Sequence, residues 1–275
     1  MSRVPAVLSI AGSDSGGGAG IQADLKAFAA CGVHGMTAIT ALTAQNTVGV
    51  TGIHPVPAAF IVEQVAAVQD DIGVDAVKIG MLGTAETVAA VAEALDLLDP
   101  DTPIVIDPVM VAESGAVLLD DAARAALVEL LLPRATVITP NVPEARVLAD
   151  DPEAEPEDLA RALHALGPAN VVVTGGHREQ ATDLLFDGVT LHELPGERHP
   201  DGAAHGSGCT HSSALAAHLA LGFSPLEAAT AAKRLAARAV FNGLRELGRG
   251  AGPVDALGLS AIRGQTAPER ASGVS

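Results

Sequence analysis

The chain has 275 residues, of which 48% are hydrophobic and 2% are aromatic, with no Trp and no Tyr. Its 16 basic and 33 acidic residues give a formal charge of −17, which argues against nucleic acids and anionic membranes as partners. The scarcity of aromatic side chains also argues against base-stacking platforms of the single-strand-binding type. We therefore expect a core of Ala, Val, Leu and Ile, and small-molecule ligands.

Short runs rich in β-branched residues alternate with longer helical patterns along most of the chain. Such alternation is typical of βαβ units, so we predict an α/β fold with a mostly parallel central sheet and helices on both faces. The strand candidates are Ala6–Ile10, Met36–Leu42, Ala76–Ile79, Ile104–Asp107, Thr136–Thr139 and Val171–Thr174. The helix candidates are Ile21–Ala30, Ala58–Asp70, Ala85–Leu98, Asp121–Leu131 and Glu157–Leu166.

The pattern changes after the last of these strands. Leu184–Asp187 and Val189–Glu193 flank an Asp-Gly pair and predict a small hairpin at the edge of the sheet. The segment Thr210–Leu247 is expected to be helical. No repeat or linker divides the chain, so we predict a single domain over residues 1–263, followed by a small, polar, disordered tail over residues 264–275.

Cysteine usage and the start of the chain bear on location. The two cysteines, Cys31 and Cys209, form no disulfide framework, and this favours a reducing compartment. Cys31 ends an apolar helix pattern and is interpreted as a packed thiol. Val4–Ile10 follows the first residues directly without a signal-peptide pattern, and no apolar run reaches the roughly 18 residues of a membrane span. We expect a cytoplasmic protein.

Polar or glycine-rich sequence follows several predicted strands, at the edge where open parallel sheets bind ligands. The longest such segment is Gly12–Gly20, which has neither the Gly-Lys-Ser/Thr of a Walker loop nor the dinucleotide-binding spacing. We interpret it as a loop whose backbone closely approaches a small ligand; the alternative is a flexible turn. In the helix that follows, Asp24 is either a ligand for a hydroxyl group or a solvated carboxylate.

Residues 206–210 read Gly-Ser-Gly-Cys-Thr and immediately precede a helical pattern. Glycines let the backbone turn its N–H groups inward, and the helix start adds a positive dipole end, so this turn is suited to hold an anion. The same field would lower the pKa of the Cys209 thiol. The segment therefore indicates group transfer to or from a phosphate. A zinc site at His205, Cys209 and His211 is disfavoured because the spacing is not standard and no fourth ligand is near.

Three further residues form a candidate metal site. Asp107 ends a buried-looking strand, and Asn141 and Glu144 share one face of a first helical turn. Carboxylates together with phosphates are a common way to hold Mg²⁺. The alternative is that Asn141 is a helix N-cap and Glu144 an acid favoured by the helix dipole.

Seven motifs, taken together and in order, resemble the hydroxymethylpyrimidine/phosphomethylpyrimidine kinases of thiamine biosynthesis, which belong to the ribokinase-like superfamily. The resemblance extends from about residue 4 to residue 255 of the sequence. The motifs are Gly12–Lys26, Thr40–Thr47, Lys78–Leu82, Asp107–Met110, Thr139–Glu144, Gly175–His177 and Gly206–Thr210. A Cys at position 209, where most ribokinase-like kinases have an Asp base, is similar to the pyrimidine kinase branch and to some bacterial pyridoxal kinases.

The resemblance implies a three-layer sandwich that uses ATP and Mg²⁺ to phosphorylate 4-amino-5-hydroxymethyl-2-methylpyrimidine and then its monophosphate. It implies that Cys209 takes the alcohol proton, that the amides of Gly206, Ser207 and Gly208 form an anion hole, and that Gln45 pairs with the pyrimidine edge. Homodimers or larger homo-oligomers are also implied. The substrate would be framed by Gly12, Ala19, Asp24, Met81 and Val109; Asn141, Thr174, Gly176 and Thr210 would bind the nucleotide; and Asp107 and Glu144 would hold the metal.

Two positions depart from the family pattern. Glu113 stands where the family usually has Lys, and Thr174 stands where it often has Lys. Both changes remove a cation that could face a phosphate, so they bear on the second phosphorylation; Lys78 or an arginine would have to compensate. Two other functions remain open at this point: a pyridoxal kinase on the same scaffold, and a non-catalytic pyrimidine-binding protein.

Overall fold

The computed structural model describes residues 3–111, 115, 118–175, 181–199 and 202–266. Within these residues nine strands form one sheet in the order β3-β2-β1-β4-β5-β6-β7-β8-β9. The strands are β1 (Ala6–Asp14), β2 (His34–Gln45), β3 (Val50–Pro55), β4 (Ala76–Ile79), β5 (Ile104–Ile106), β6 (Val137–Ile138), β7 (Asn170–Val173), β8 (Asp183–Phe186) and β9 (Leu191–Leu194). The six strands from β2 to β7 in this order are parallel, and β3, β8 and β9 are antiparallel to their neighbours.

Helices connect and cover these strands. They are α1 (Gly20–Cys31), α2 (Ala58–Asp71), α3 (Ala85–Leu95), α4 (Asp121–Ala126), α5 (Val142–Ala149), α6 (Pro156–His164), α7 (Ser207–Ala220), α8 (Pro225–Phe241) and α9 (Leu259–Thr266). Local sequence explains several ends: α1 stops at Gly32, whose φ of +77° suits glycine. Helix α8 starts with a capping box between Ser224 and Glu227 around Pro225. No helix in the described part of the chain has the length and apolar character needed to span a membrane.

Two hydrophobic clusters lie on opposite faces of the sheet, because successive strand residues point to opposite sides. In β6, for example, Ile138 belongs to the cluster under helices α2 to α6, whereas Val137 belongs to the cluster under α1, α7 and α8. The second cluster is built largely from alanines, with Phe28 as its one large aromatic residue among the described ones. The result is a three-layer sandwich, as predicted.

The strand register brings the carboxyl ends of the parallel strands to one edge. Ile10 pairs with Ile79, Ile79 with Ile106, Ile106 with Ile138, and Ile138 with Val171. The segments that follow these residues therefore emerge side by side. This edge collects the glycine-rich loop, Met81, Asp107, Asn141 and Thr174, which are five of the predicted site positions or segments.

The predicted fold class, with a mostly parallel sheet, helices on both faces and an edge hairpin, is confirmed. Four details differ. Strand β3 and helix α5 were not among the predicted elements, and the predicted helix Asp121–Leu131 changes after Ala126 into a π-helical turn, Leu127–Leu131. The predicted tail begins too early, since α9 continues through Thr266; residues 267–275 lie outside the described residues.

Candidate active site

The glycine-rich loop between β1 and α1 is organised around the carboxylate of Asp14, which is 2% exposed. Asp14 Oδ1 accepts the N–H of Gly16 at 2.7 Å, and Oδ2 accepts the N–H groups of Gly18 and Ala19 at 3.0 and 2.8 Å. His205 Nε2 lies 3.2 Å from Oδ2. Burial alone would raise the pKa of Asp14, but the hydrogen bonds from His205 and the backbone lower it. The loop is therefore fixed by an ionised side chain and is not a flexible turn.

Close backbone contacts join this loop to the predicted substrate residues. A Cβ at Gly12 would lie 2.3 Å from Cε of Met81, and a Cβ at Gly16 would lie 3.3 Å from the carbonyl oxygen of Gln45. The Ser15 hydroxyl also donates to the carbonyl oxygen of Gln45 at 2.8 Å. Gln45 and Met81 are half-buried, as is Val109, which follows β5 at the same edge. The loop thus brings Gly12, Gln45 and Met81 together, as the sequence predicts.

The turn before helix α7 packs directly onto the glycine-rich loop. Gly206 is the N-cap of α7 with φ of +82°, and a Cβ there would lie 1.8 Å from the carbonyl oxygen of Gly18. Only glycine is compatible with both the dihedral angle and the contact. The N–H of Ser207 donates to the carbonyl of Ala204, in contrast to the prediction that it belongs to the anion hole. Among the described residues, the N–H groups of Gly206, Gly208 and Cys209 have no backbone acceptor outside the helix and are available to an anion.

Cys209 is half-buried, and the N–H of Gly20 donates to its sulfur. Removal from water raises the pKa of this thiol to about 12; Lys78 opposes the rise, whereas Asp24 and Asp107 add to it. We expected the helix start to lower this pKa, and that expectation is wrong. The main cause is the removal of the thiol from water, and the charges of Asp24 and Asp107 add to it; the sequence pattern reveals neither.

Behind Cys209 lies a buried ion pair. Lys78 Nζ is 3.0 Å from Asp24 Oδ1, and both side chains are fully buried. Asp24 also accepts hydrogen bonds from Ser9 at 2.6 Å and Ser213 at 2.7 Å. Asp24 therefore presents no surface to a substrate, in contrast to the prediction that it frames the ring or hydroxymethyl group. Lys78 is equally enclosed, so it does not serve as a phosphate-facing cation.

The charges of Asp107 and Glu144, the two predicted metal ligands, influence each other. Burial and the charge of Asp107 raise the pKa of Glu144 to about 8, although the N–H groups of Asn141 and Met110 oppose the rise. Burial likewise raises the pKa of Asp107, which is 6% exposed and 4.0 Å from Lys78 Nζ. The two acids repel each other where a divalent cation would bind both. Nowhere in the described ranges do three or more His, Cys, Asp or Glu side chains cluster as metal ligands.

Asn141 and Glu144 also form a capping box at the start of α5, with Asn141 Oδ1 accepting the N–H of Glu144 at 2.9 Å. The two residues therefore cap helix α5, as the alternative interpretation predicts, and this role is compatible with a metal site. Asn141 pairs through a β-bridge with Thr174, which places both at the sheet edge. Gly176, the third predicted nucleotide residue, and Glu113 lie outside the described residues.

Thr210 and His211 do not face an open site. Thr210 is fully buried, and its hydroxyl has no hydrogen-bond partner among the described residues, so the prediction that it contacts the nucleotide is not supported by its position. The ring of His211 is buried near Asp183, whereas His205 faces Asp14. The two histidines therefore lie next to different carboxylates.

Local sequence patterns do not predict that Asp14 and His205 pair in the site. Asp14 has a local signal, because Asp before glycines commonly accepts backbone N–H groups in a turn. His205 reaches it from 191 residues away in the sequence, and such a pairing has no local pattern.

The chain matches the family model described as phosphomethylpyrimidine kinase over residues 14–255. It is 51% identical over 255 residues to the hydroxymethylpyrimidine/phosphomethylpyrimidine kinase of Rhizobium meliloti, covering 90% of this chain and 95% of that protein. It is 48% identical over 254 residues to a thiamine biosynthesis bifunctional protein of Geobacter sulfurreducens. That match covers 90% of this chain and 51% of the longer relative.

Solved structures agree with this placement. The pyridoxal kinase of Bacillus subtilis in its ADP complex superposes with a TM-score of 0.85 at 39% identity, covering 94% of this chain and 99% of that one. The phosphomethylpyrimidine kinase of Clostridium difficile superposes with a TM-score of 0.73 at 39% identity, covering 84% of this chain and 97% of that one. The ribokinase-like fold and the kinase resemblance predicted from the motifs are therefore confirmed. The chain belongs to the phosphomethylpyrimidine kinase family.

Proposed function

We propose that this chain phosphorylates 4-amino-5-hydroxymethyl-2-methylpyrimidine with ATP and then phosphorylates the resulting monophosphate, as a step of thiamine biosynthesis. The observation that carries the proposal is the contact between the glycine-rich loop and the turn before α7. It places the Cys209 sulfur against the N–H of Gly20 and beside the amides of the helix start, which have no backbone acceptor outside the helix among the described residues. Phosphoryl transfer to a small alcohol needs the alcohol and the transferring phosphate side by side. The glycine-rich loop would hold the alcohol, and the turn before α7 would hold the phosphate.

In this proposal the alcohol oxygen attacks the terminal phosphorus of ATP, the bond to the ADP oxygen breaks, and the alcohol proton passes to the Cys209 sulfur. The amides of Gly208 and Cys209 bind the transferring phosphoryl oxygens. The proton acceptor must be the thiolate. Removal from water and the charges of Asp24 and Asp107 disfavour the thiolate, whereas Lys78 and the N–H of Gly20 favour it.

Mg²⁺ suits the residues at the end of β5. Asp107 and Glu144 are hard oxygen donors held close enough to raise the pKa of Glu144, and together with nucleotide phosphates they make a donor set that Mg²⁺ prefers. When bound, the ion would supply positive charge to the phosphate oxygens and offset the Asp107 charge that disfavours the thiolate. Asn141 would position Glu144 through the capping box.

Product analysis tests the proposal. The chain is incubated with the pyrimidine alcohol, excess ATP and Mg²⁺, and products are separated by anion-exchange chromatography. We expect monophosphate followed by diphosphate. A product that stops at monophosphate would restrict the chain to the first step, in line with Glu113 and Thr174 in place of lysines. Absence of any ATP consumption would reject the kinase proposal and favour the non-catalytic binding protein.

The role of Cys209 has a separate test. Cys209→Ala removes the proton acceptor, so we expect kcat to fall by about 100-fold or more with KM for the alcohol nearly unchanged. Cys31→Ser is the matched control, because it changes the other cysteine in the sequence, which is far from the site in α1. Full turnover by Cys209→Ala would remove the base role and leave the anion-binding role of the turn.

Pyridoxal kinase activity is the second candidate, because the B. subtilis pyridoxal kinase superposes closely on this chain. Both substrates carry a hydroxymethyl group on an aromatic ring. The comparison of kcat/KM for the pyrimidine alcohol and for pyridoxal decides between them, and a large preference for pyridoxal would overturn our assignment. We also propose a cytoplasmic homodimer or larger homo-oligomer, which sedimentation at several protein concentrations would test.

A further inference from the structure

Another buried carboxylate, that of Asp183, lies near helix α7. Asp183, the first residue of β8, is 2% exposed. Its Oδ1 accepts the N–H of Gly175 at 2.7 Å and the Nζ of Lys233 at 2.6 Å. Its Oδ2 lies 3.6 Å from Nε2 of His211. One side chain thereby meets the segment after β7, helix α7 and helix α8.

These contacts connect two parts of the proposed site. Gly175 directly follows Thr174, which is bridged to Asn141 at the sheet edge. A Cβ at Gly175 would lie 1.9 Å from the carbonyl oxygen of Thr182, so the backbone here is held against β8 with no room for a side chain. His211 stands two residues after Cys209 on α7. Asp183 therefore lies between the chain that leaves β7 and the helix whose start forms the anion-binding turn.

Stability alone is a weak reason for this arrangement. Burying an ion pair costs desolvation free energy that its attraction often fails to recover. The cluster is also incompletely satisfied, since both ring nitrogens of His211 lack hydrogen-bond partners within the described part of the chain. We therefore explain the buried charge of Asp183 by the position in which it holds its neighbours, and not by a gain in the free energy of folding.

We propose that Asp183, with Lys233, is a positioning residue that holds the backbone at Gly175, and hence the nucleotide phosphates, in register with the anion-binding turn of α7. The inference rests on the proposed function for the location of the nucleotide. It adds an identified pair of residues, outside the site itself, whose loss affects the nucleotide and not the alcohol. In the described residues, the alcohol side of the site is held instead by Asp14.

The experiment uses three variants of the full chain: Asp183→Asn, Lys233→Met and the double variant. Asp183→Asn keeps an oxygen acceptor for Gly175 but leaves Lys233 without its counter-ion, and Lys233→Met leaves the buried carboxylate unpaired. The double variant removes both charges and keeps the acceptor. Arg234→Met is the matched control, because Arg234 is the next cation of α8 and is exposed.

Three quantities are measured for each protein: the Kd of ADP by calorimetry, the KM for ATP and the KM for the pyrimidine alcohol. We expect each single variant to raise the ADP Kd and the ATP KM about tenfold, with the alcohol KM unchanged, and the double variant to return to within about threefold of the parent. Arg234→Met should match the parent.

The inference is overturned if ADP Kd and ATP KM stay unchanged in the single variants, or if both KM values rise together. If the single variants fail to fold, the double variant decides, because it carries no unpaired charge: ADP affinity more than tenfold below the parent's would count against us. Failure of the proposed function is a different result, namely a parent chain that binds ADP but phosphorylates neither alcohol.

Discussion

Single residues account for much of the geometry at the strand ends, and Asp14 shows how. Three backbone N–H groups of the glycine-rich loop converge on its carboxylate, and His205 joins it to the segment before Gly206. The Asp14 side chain thus accepts hydrogen bonds from buried backbone N–H groups that in a helix or a sheet would bond to backbone carbonyls. The glycines make several backbone conformations of the loop accessible, and the hydrogen bonds of Asp14 stabilise one of them.

We predict that Asp14→Asn destabilises the fold by about 1–3 kcal/mol near neutral pH, because a charged acceptor of buried N–H groups is lost. The pKa of Asp14 is lowered below its ordinary 3.8 in the folded chain. Its stabilisation is therefore fully present above the unfolded pKa and disappears as the pH falls through the folded pKa. Urea unfolding of parent and variant across acidic and neutral pH measures this difference.

Asp187→Asn is the control for that experiment, since Asp187 also accepts two backbone N–H groups but lies exposed in the β8–β9 turn. It should leave the KM for the pyrimidine alcohol unchanged, whereas Asp14→Asn should raise it. A gap between parent and Asp14→Asn that persists with equal size in strong acid would contradict the charge-based explanation.

The buried pair of Asp24 and Lys78 leads to a second prediction. Although burial alone would lower the pKa of Lys78, Asp24 raises it, so the amine stays charged inside the protein. Lys78→Met leaves the Asp24 carboxylate uncompensated, and we expect a loss of about 3–5 kcal/mol in the free energy of unfolding. The double variant Asp24→Asn with Lys78→Met should recover most of that loss. Denaturant unfolding checks both, and a single variant as stable as the parent would contradict the prediction.

At the scale of elements, the layer formed by α1, α7 and α8 depends on small side chains. Ala217 on α7 and Ala229 and Ala232 on α8 are fully buried in the same cluster. Because these side chains are small, α7 and α8 pack closely against each other and against the sheet. This close packing brings the start of α7 to the ends of the strands. This layer therefore tolerates little added volume.

We predict that Ala229→Leu lowers the free energy of unfolding by about 1–3 kcal/mol, because three added carbons overfill a packed site. Ala89→Leu on α3 is the matched control, since Ala89 is an exposed helical alanine. Thermal unfolding of the two variants should separate them. An Ala229→Leu protein with the Tm of the parent would show that the α7–α8 layer is loosely packed.

The elements themselves were largely predictable, because strand β-branching and helix periodicity are local signals. Strand β4 is found at its predicted bounds, Ala76–Ile79. Strand β3 has no such signal: its sequence contains Gly52 and Pro55, most of it is exposed, and it is a strand because β2 pairs with it. The π-helical turn after α4 leads directly into a 3-10 turn that contains Pro133, and the periodicity of the sequence does not predict it.

The sequence predicts those parts of the candidate site that depend on local backbone conformation. It does not predict the parts that depend on contacts between residues far apart in the sequence. Gly206 had to be glycine for a local reason, and its turn lies where the sequence indicates. The sequence alone leaves Asp24 available to a ligand, and its ion pair with Lys78, 54 residues away, explains why its carboxylate is enclosed. The same holds for Cys209, because the charges of two distant residues, Asp24 and Asp107, raise the pKa of its thiol.

The whole molecule carries a formal charge of −17, and its proposed substrates differ in charge. ATP and the pyrimidine monophosphate are anions, whereas the pyrimidine alcohol is neutral. Long-range repulsion should therefore oppose the approach of two substrates and leave the third unaffected. Local attraction at the helix start acts only within a few ångströms, while the net charge acts over about 10 Å at moderate ionic strength.

We predict that raising a non-coordinating salt from about 20 to 200 mM lowers the KM for ATP and for the monophosphate by about two- to threefold, because the ions screen the repulsion. The KM for the neutral alcohol, measured in the same solutions at fixed free Mg²⁺, serves as the internal control and should not change. Tetramethylammonium chloride avoids a cation that could bind a specific site. If the KM for ATP rose with salt instead, attraction by local groups would dominate, and the net charge would not govern how this molecule meets its nucleotide.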